Sequence, residues 1–483
     1  MSVDVCYVLK DGFPARMVLH SEILPELRAR GVSVALVVPN AREPLMQEMA
    51  SRHDAALIEA PNVYSRLTTE YEWLIRRYLF EDVLANPSLR SWHLKLKDMP
   101  ERPIRNRARA AFYLTINRLS LKSRRFRRLL ERVERRVFLD NTEVQALIRS
   151  INPRLLVSTY PVSLLEAAFL HEARKAGVTT VSQLLSWDNI TSKGRFSVVS
   201  DYFVSWGPIM SEELAEYYNV RQSRIIECGV AHFDQHLAAV EPGASHRILK
   251  QIGLDPERPY LFFGMSSPTV SPNEIDVVEW LAHEVGSGSF GRDIQLIVRP
   301  HPQNIQGYTA DQSWLSRLNA VAGGPVAVDY PELEQSAMSW NMKEDDLPRL
   351  VNLLAGCSIV LNSGSTLAID GIIHDKPVIL TLFDGSASLP WHRSIRRYRE
   401  VIHMRKLIEL NGLRVSGSYE QLKDQIIAYL ADPSLDAAGR ARTRQMECGA
   451  VDGRACKRIA DALADLIEVV RTTRVTETAD LHG

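Results

Sequence analysis

A short segment of small polar residues has a composition that suits phosphate binding. Residues 362–366 read Asn-Ser-Gly-Ser-Thr, follow the strand-like run of residues 357–361, and precede a helical pattern. The first turn of a helix offers unpaired backbone N–H groups and the positive end of the helix dipole, and glycine lets a ligand approach the backbone. A serine at this place could equally well only cap the helix. The candidate phosphate-binding residues of this turn are Ser363, Gly364, Ser365 and Thr366.

An arginine and a histidine stand at the end of another predicted strand. Arg299-Pro300-His301-Pro302 follows the apolar run of residues 294–298, at the edge where open α/β sheets bind their ligands. The prolines restrict the backbone, and both polar side chains can donate to phosphate oxygens. Arg299 and His301 are therefore candidates for a phosphate clamp.

The loop of residues 264–274 follows a third predicted strand and opens a helix. A capping box, with Ser271 as N-cap and Glu274 reaching back to it, explains the second half of the loop. It does not explain Ser266 and Ser267, whose hydroxyls are further candidates for lining a ligand site.

The elements that must position these residues follow a regular alternation. Short apolar runs alternate with longer helical patterns, which is typical of βαβ units and a parallel sheet. Strands are predicted at 3–9, 32–38, 154–158, 178–184, 202–206, 225–228, 260–264, 294–299, 326–330, 359–362 and 378–382. Residues 65–150 interrupt the alternation with helical, charged sequence. We therefore predict an α/β fold of two Rossmann-like domains that face each other across a cleft, with a helical, basic insert in the first.

The length of 483 residues exceeds what one ordinary core organises, and two domains are expected. The linker-like composition of residues 241–245 predicts the boundary. We predict an N-terminal domain over 1–240 with its insert at about 65–150, a C-terminal domain over 246–440, and a C-terminal helical segment over 441–475.

Composition excludes several classes of protein. Lys and Arg together number 58, as do Asp and Glu, so the total charge gives no case for nucleic-acid binding. The five cysteines are scattered and never in C-x-x-C spacing, which argues against a disulfide framework or a zinc site and suits a reducing cytoplasm. The N-terminus lacks a signal-peptide pattern, and no apolar run reaches the ~20 residues needed to span a bilayer. We expect a cytoplasmic protein, at most peripheral at a membrane.

With these residues identified, the chain resembles GT-B glycosyltransferases over nearly its whole length. More narrowly, it resembles bacterial cell-surface polysaccharide transferases of the CDP-glycerol glycerophosphotransferase, Kdo-transferase and sialyltransferase kind. In those families an HP motif and a Ser/Thr-rich motif hold the phosphate of a nucleotide donor. His301-Pro302 and residues 363–366 match these motifs in order and distance. Residues 370–379 match the helix and strand that follow, with His374-Asp375 where glycine is commoner.

The resemblance implies a division of roles between the domains. The C-terminal domain would bind the nucleotide-activated sugar, as a substrate and without a further cofactor, and the N-terminal domain would take a glycan or lipid-linked acceptor. No D-x-D motif occurs in the sequence, so we expect no metal at the site and leaving-group stabilisation by cationic side chains and a helix dipole. The implied donor-binding residues are Ser266, Ser267, Arg299, His301, Ser363, Gly364, Ser365 and Thr366.

Glycosyl transfer also needs a base that deprotonates the acceptor hydroxyl. Asp188 is the first candidate because it follows the strand predicted at 178–184, within a segment Ser186–Gly194 that looks like one found in uncharacterised members of the superfamily. Asp188 could equally form a turn with structural hydrogen bonds. Asp11 is the reserve candidate because its loop also follows a strand.

Three further residues are candidates for binding the acceptor. Trp187 could stack on a sugar, and Lys193 would add a positive charge for an anionic ligand. Arg16, in the loop after the first strand, could meet a phosphate or carboxylate of the acceptor.

The insert carries a strongly basic stretch. Residues 102–136 contain thirteen Lys or Arg against two Glu, interleaved with large apolar residues. An amphipathic, Arg-rich helix can lie on an anionic membrane surface, and this is the hypothesis we favour, with the inner face of the plasma membrane as the place. A solvated helix packed on the domain is the alternative. We expect no nucleic-acid binding.

Four functions fit these features. The first is a metal-independent glycosyltransferase that extends a cell-surface polysaccharide or a lipid-linked glycan. The second is a CDP-glycerol-type glycerophosphotransferase of the teichoic-acid kind, and the third is a UDP-GlcNAc 2-epimerase-like enzyme. The fourth is a non-catalytic GT-B protein that binds nucleotide or partners a transferase. Fold analogy alone does not separate them.

Overall fold

The computed structural model of the protein describes residues 3–10, 12–305, 312–334 and 342–480. Within these ranges, residues 12, 13, 15, 16, 73, 312 and 473–480 are described by their backbone only. The predicted base Asp11 lies outside the described residues, and nothing is described of the Arg16 side chain, so both assignments stay predictions.

The chain forms two compact units. The first contains residues up to Asp234 together with those from Glu447 onward, and the second contains Gln235–Glu334 and Met342–Met446. The division therefore falls before the linker predicted at 241–245, and the C-terminal helical residues belong to the first unit.

The first unit is built on a parallel sheet. Among the described residues its strands are β1 (Val5–Val8), β2 (Val34–Val38), β3 (Ala56–Glu59), β4 (Leu155–Ser158), β5 (Thr179–Gln183), β6 (Tyr202–Ser205) and β7 (Ile225–Glu227). Their order is β3-β2-β1-β4-β5-β6-β7, and each neighbouring pair is parallel. The chain reverses its direction of winding between β1 and β4.

The second unit repeats the scheme. Its described strands are β8 (Tyr260–Gly264), β9 (Gln295–Arg299), β10 (Val326–Val328), β11 (Ile359–Asn362), β12 (Val378–Thr381) and β13 (Arg414–Ser416). They pair in parallel in the order β10-β9-β8-β11-β12-β13, so the winding reverses between β8 and β11. The central strands are buried along their whole length and are nearly continuous apolar runs, as expected for strands covered on both faces.

Helices connect the strands throughout the described part of the chain. They are α1 (Gly12–Leu19), α2 (Ile23–Ala29), α3 (Pro44–Arg52), α4 (Arg66–Glu70), α5 (Arg76–Tyr78), α6 (Pro87–Lys97), α7 (Pro103–Lys122), α8 (Arg124–Glu134), α9 (Thr142–Ile151), α10 (Leu164–Lys175), α11 (Pro208–Tyr218), α12 (Ala231–Ala238), α13 (Ala244–Gln251), α14 (Glu274–Gly286), α15 (Pro302–Ile305), α16 (Gln312–Val321), α17 (Asp346–Gly356), α18 (Leu367–Ile373), α19 (Ile402–Glu409), α20 (Tyr419–Ala431), α21 (Ala437–Thr443) and α22 (Ala455–Asp480). Single π-helical turns occur at Tyr71–Ile75, Arg135–Leu139 and Arg444–Cys448, and 3₁₀ turns at Gln222–Arg224 and Ile395–Arg399.

The α/β class, the repeated parallel sheets and the helical insert are confirmed, and the differences lie at sheet edges and helix ends. The sequence analysis missed β3 and β13, which are short, partly exposed edge strands and therefore lack the apolar run of a central strand. Ala244 and Ser245, placed in the linker, instead begin α13.

The insert consists of α4 to α9 and the two π-helical turns between them, without a strand. In helix α8 the one buried residue is Glu134. Its carboxylate is paired with Arg195 and accepts a hydrogen bond from the Tyr71 hydroxyl. The rest of α8 is exposed or half-buried, so one buried ion pair anchors an otherwise outward-facing basic helix. None of the helices in the described part of the chain combines the length and the apolar composition needed to cross a bilayer.

Candidate functional site

The predicted donor-binding segments lie at the carboxyl ends of three adjacent strands in the second unit. Gly264, the last residue of β8, is in register with Arg299 of β9 on one side and with Asn362 of β11 on the other. These three residues therefore form one row, and the loops that follow them start at the same level. Between β8 and β11 the winding reverses, which is where open α/β sheets bind ligands. The structure brings together three segments that are spread over about a hundred residues of the sequence, from Gly264 to Asn362.

The turn after β11 is organised by an asparagine. The Asn362 Oδ1 accepts hydrogen bonds from the backbone N–H groups of Gly364 (2.9 Å) and Ser365 (3.0 Å). Asn362 therefore closes a turn ahead of the helix, and the serine cap that the sequence suggested is not formed, because the N-cap of α18 is Thr366 and its side chain makes no capping bond. Gly364 has φ +83°, and a Cβ there would lie 2.7 Å from the Tyr398 ring, so this position requires glycine.

The hydroxyls of the turn differ in what they can do. The Ser363 Oγ lies 2.7 Å from the Thr381 Oγ1 of β12 and is buried, so it helps to hold neighbouring strand ends together. Ser365 is half-buried and Thr366 is exposed. The Ser363 hydroxyl and two backbone N–H groups of the turn are already bonded within the chain. Ser365 and Thr366 are therefore the better placed hydroxyls for a ligand.

Arg299 has a different role from the one its position predicted. Its guanidinium is buried and pairs with Asp329 and, at 2.5 Å, with the Asp346 Oδ1. Asp329 also accepts from the Arg349 Nε at 2.7 Å. The phosphate clamp predicted for Arg299 is therefore corrected: its charge is neutralised by two buried carboxylates that fix the end of β9. This pairing is not visible in the sequence, because both aspartates come from distant segments.

His301 is held in one orientation by the start of a short helix. Its Nδ1 accepts the backbone N–H of Gln303 at 3.1 Å, so the Nε2 carries the proton of the neutral ring. The ring is half-buried. The Asn304 amide of the same turn lies 4.0 Å from the Met265 sulfur, which places α15 against the loop that follows β8. His301 thus stays a candidate donor to a ligand at these strand ends.

The loop after β8 contains a polar cluster that the sequence analysis misassigned. The Glu274 Oε2 accepts the backbone N–H of Ser266 at 2.6 Å, in place of the capping box predicted with Ser271. Burial raises the pKa of Glu274 to about 7, although its polar neighbours Ser363 and Ser266, which favour the ionised form, lower it. Ser267 bonds locally, with its Oγ 3.0 Å from the Thr269 Oγ1. A fully buried acid beside two predicted site serines is a functional candidate that only the tertiary structure exposes.

In the first unit, Asp188 lies in a dense local network. Its carboxylate accepts from the Ser186 Oγ (2.7 Å) and the Ser192 Oγ (3.0 Å) and pairs with the Lys193 Nζ (2.8 Å). These contacts are those of a structural turn, which was the alternative to a catalytic role for Asp188. Lys193 is therefore engaged within the chain, and Trp187 is 95% buried and cannot offer an open face for stacking, which corrects the acceptor role predicted for it.

The same segment contains buried polar groups without a partner among the described residues. Both amide atoms of Asn189 and the Thr191 Oγ1 make no hydrogen bond, although the two residues are at most 1% exposed. The Thr191 carbonyl accepts from the Asn86 amide at 3.1 Å, which ties the segment to the insert.

The carboxyl edge of the first sheet also forms a small recess of about 10 Å³, which is room for about one water molecule. Its polar neighbours are bonded within the chain: the Tyr7 hydroxyl donates to the Gln183 Oε1 at 2.9 Å, and the Trp206 Nε1 donates to the Leu184 carbonyl at 2.8 Å. The recess therefore presents mainly apolar surface and is too small to hold a sugar or a phosphate. It is lined by Met17, Gln183, Leu184, Leu185, Val204, Trp206, Gly229, Val230, Ala231, His232 and Ile459.

One group of side chains in the described residues has the ligand atoms for a metal ion. Atoms of Asp140, His171 and Glu172 lie within 4.8 Å of one another. The Lys175 ammonium lies 2.7 Å from the Asp140 Oδ1 and 3.0 Å from the Glu172 Oε1, so a side-chain cation already pairs with both carboxylates. The expectation of a metal-free mechanism stays a prediction.

The chain matches no protein-family model and no curated protein sequence. Its fold is similar to that of solved proteins at low sequence identity. The UDP-GlcNAc 2-epimerase from Neisseria meningitidis, bound to UDP-GlcNAc, has a TM-score of 0.53 at 11% identity, over 96% of this chain and 100% of that one. A glycosyltransferase from Rickettsia africae has a TM-score of 0.51 at 10% identity, over 96% and 99%. The calicheamicin glycosyltransferase CalG4 has 0.52 at 12% identity, over 97% and 98%.

These likenesses show the fold, and they confirm the GT-B class predicted from the sequence. They include epimerases and transferases alike, so they leave the reaction open. The narrower resemblance to the CDP-glycerol, Kdo-transferase and sialyltransferase group stays a prediction.

The position of Arg299 leads to a stability prediction. We expect Arg299→Ala to lower the free energy of unfolding by about 3–5 kcal/mol, because it leaves the buried Asp346 without its counter-ion and Asp329 with Arg349 alone. Thermal unfolding measures the effect. The control is Arg405→Ala, which removes an exposed arginine paired only with Glu409 on the same helix. If Arg299→Ala kept the melting temperature of the wild type and lost only ligand affinity, the result would support the original prediction that Arg299 binds phosphate.

Proposed function

We propose that the protein is a glycosyltransferase that moves a sugar from a nucleotide-activated donor to a cell-surface polysaccharide or lipid-linked glycan. One observation carries the proposal. Three polar segments, Ser266–Ser267, His301 and Ser363–Thr366, follow three adjacent strands at the point where the winding of the second sheet reverses. Hydroxyls, a histidine N–H and the first turns of helices are the groups that bind phosphate oxygens.

In the proposed reaction the acceptor hydroxyl attacks the anomeric carbon, and the bond from that carbon to the phosphate oxygen breaks. The negative charge that develops on the departing phosphate is stabilised by the His301 Nε2–H and by the hydroxyls of Ser365 and Thr366. A carboxylate takes the proton of the acceptor hydroxyl. Among the described residues Asp188 is our candidate, and its carboxylate pairs with the Lys193 Nζ at 2.8 Å. It must release a serine hydroxyl to accept the proton.

The donor is tested by a thermal-shift screen of CMP-, CDP-, UDP-, GDP- and dTDP-linked donors. We expect one nucleotide class to stabilise the protein by ~2.7 kcal/mol at a hundredfold excess over its Kd. His301→Ala removes a donor to the phosphate and should reduce this shift. The control is His283→Ala, which changes an exposed histidine on α14.

Two results would count against this assignment. Stabilisation by none of the donors would remove the basis of the donor site. An undiminished shift in His301→Ala would remove that residue from it.

A UDP-GlcNAc 2-epimerase is the second candidate function, because an epimerase bound to UDP-GlcNAc shares this fold over nearly the whole chain. The two reactions differ in what they need. An epimerase inverts a carbon of the sugar while the sugar stays on the nucleotide, whereas a transferase needs an acceptor.

The reaction is decided by incubating the protein with UDP-GlcNAc in the absence of an acceptor. A transferase should leave the sugar configuration unchanged and release at most slow hydrolysis products. Separation of the nucleotide sugars by chromatography and NMR of the sugar protons measure the result. Formation of the C2 epimer, still linked to UDP, would establish the epimerase and contradict our proposal.

We further propose that the basic helices α7 and α8 place the enzyme on an anionic membrane. Their exposed apolar side chains are Ile104, Phe112 and Leu119 on one side of α7, Leu121 on its other side, and Leu129 and Val133 on α8. Exposed arginines surround them. Exposed apolar residues among cations are the composition of a helix that lies in the headgroup region of a bilayer.

Vesicle flotation tests the membrane proposal. We expect binding to vesicles that contain phosphatidylglycerol and little binding to neutral ones. Arg128→Glu with Arg132→Glu should weaken binding by at least roughly 30-fold, since each basic residue near the surface contributes about 1 kcal/mol. The control pair Arg405→Glu and Arg442→Glu changes the same charge on exposed residues of the second unit. Equal flotation with neutral and anionic vesicles would contradict the proposal.

A further inference from the structure

Three buried polar atoms without a partner converge where the winding of the second sheet reverses. They are the Ser266 Oγ, the Glu274 Oε1 and the Asn362 Nδ2, and none has a hydrogen-bond partner among the described residues. Their residues are at most 2% exposed. An unpaired polar atom at such depth costs free energy, so a cluster of them calls for a ligand that pairs them.

The three atoms are held in place by bonds that the rest of each side chain makes. Glu274 is fixed through its Oε2, which accepts the Ser266 N–H, and Asn362 through its Oδ1, which caps the turn of residues 363–366. Asn362 and Gly264 are the last paired residues of β11 and β8. The free atoms are thus positioned by both strand ends at once.

The cluster has one member whose charge does not suit a phosphate. A hydroxyl and an amide N–H donate to phosphate oxygens, but an ionised carboxylate repels them. Among the described residues, Ser266 and Ser363 are the groups that act on the Glu274 carboxyl, and no charged side chain is one of them. On its own helix, Asp276 is paired with Arg317 at 2.6 Å. After the neighbouring strand lie His301 and the Arg299 guanidinium, which is paired with Asp329 and Asp346.

We propose that Glu274 is a positioning residue of the donor site that binds the donor phosphate in its protonated form, so that donor binding takes up one proton. The inference rests on the proposed function, because it places a nucleotide-linked phosphate at this site. The proton resides on the Oε1, since the Oε2 accepts the Ser266 N–H. Protonated, the Oε1–H donates to a phosphate oxygen alongside the Ser266 hydroxyl and the Asn362 amide.

The direction of the pH dependence follows from burial. Burial raises the pKa of Glu274 to about 7, so the free protein loses this proton as the pH rises above neutrality. A phosphate next to the carboxyl raises its pKa further, and binding above pH 7 must therefore recover a proton. The affinity falls with rising pH until the pKa of the complex is reached.

The experiment measures donor affinity by calorimetry from pH 6 to pH 9. The probe is UDP-GlcNAc, or the donor of the panel that stabilises the protein most, because the phosphodiesters of these donors keep a constant charge over this range. In the wild type we expect the Kd to rise by up to about tenfold per pH unit above pH 7, with close to one proton taken up at pH 8 in buffers of different ionisation heat.

Glu274→Gln isolates the proton. Its amide oxygen still accepts the Ser266 N–H, and its NH₂ group imitates the protonated acid. We expect this variant to bind with a Kd that is flat above pH 7 and with no proton uptake. Glu284→Gln on the same helix, where Glu284 pairs with Lys423 at the surface, should keep the wild-type profile. His301→Ala should bind more weakly but keep the slope above pH 7.

The outcomes separate this inference from the proposed function. Donor binding with a Kd that does not change between pH 6 and pH 9 overturns the role of Glu274 and leaves the donor site intact. The same holds if Glu274→Gln loses donor affinity at every pH, which would mean that an ionised carboxylate is needed. Absence of binding by every donor overturns both.

Discussion

The parallel pairing of β8 with β9 and β11 is the constraint on which the candidate site depends. In a parallel sheet all carboxyl ends meet at one edge, and the register sets Arg299, Gly264 and Asn362 in one row. Because the winding reverses between β8 and β11, the loops after these two strands lead to opposite faces and leave room between them. Polar residues that follow the three strands therefore converge without any direct sequence relation.

Burial then decides what each polar residue at this edge does. Arg299 forms buried ion pairs with Asp329 and Asp346, and these pairs hold the end of β9 to the start of α17. Asp188 is likewise bound by Ser186 and Lys193 within its own turn. Polar groups with local partners stabilise the fold. A buried polar group without a partner destabilises the free protein, and a ligand that pairs with it recovers that free energy on binding. By that criterion the glutamate after β8 stands out from the other acids at the strand ends.

Much of the fold followed from the sequence because buried strands have a strong signal. The bounds of β8 and β11 were predicted to the residue, and the GT-B class is confirmed by solved structures of the same fold. The edge strands β3 and β13 were not predicted because most of their residues are only half-buried and they lack a continuous apolar run. The predicted capping box failed for a related reason. A glutamate in the first turn of a helix can reach either its own N-cap or a neighbouring loop, and only packing decides between them.

The sequence by itself determined the class of fold, the order of the strands along the chain, and the segments that lie at their carboxyl ends. It could do so because apolar periodicity and turn residues act locally. The tertiary structure alone decided that Arg299 is neutralised by two aspartates, that Trp187 is buried, and that Glu274 lies between two site serines. These are properties of the partners that surround each side chain, and the partners come from strands and loops far apart in the chain.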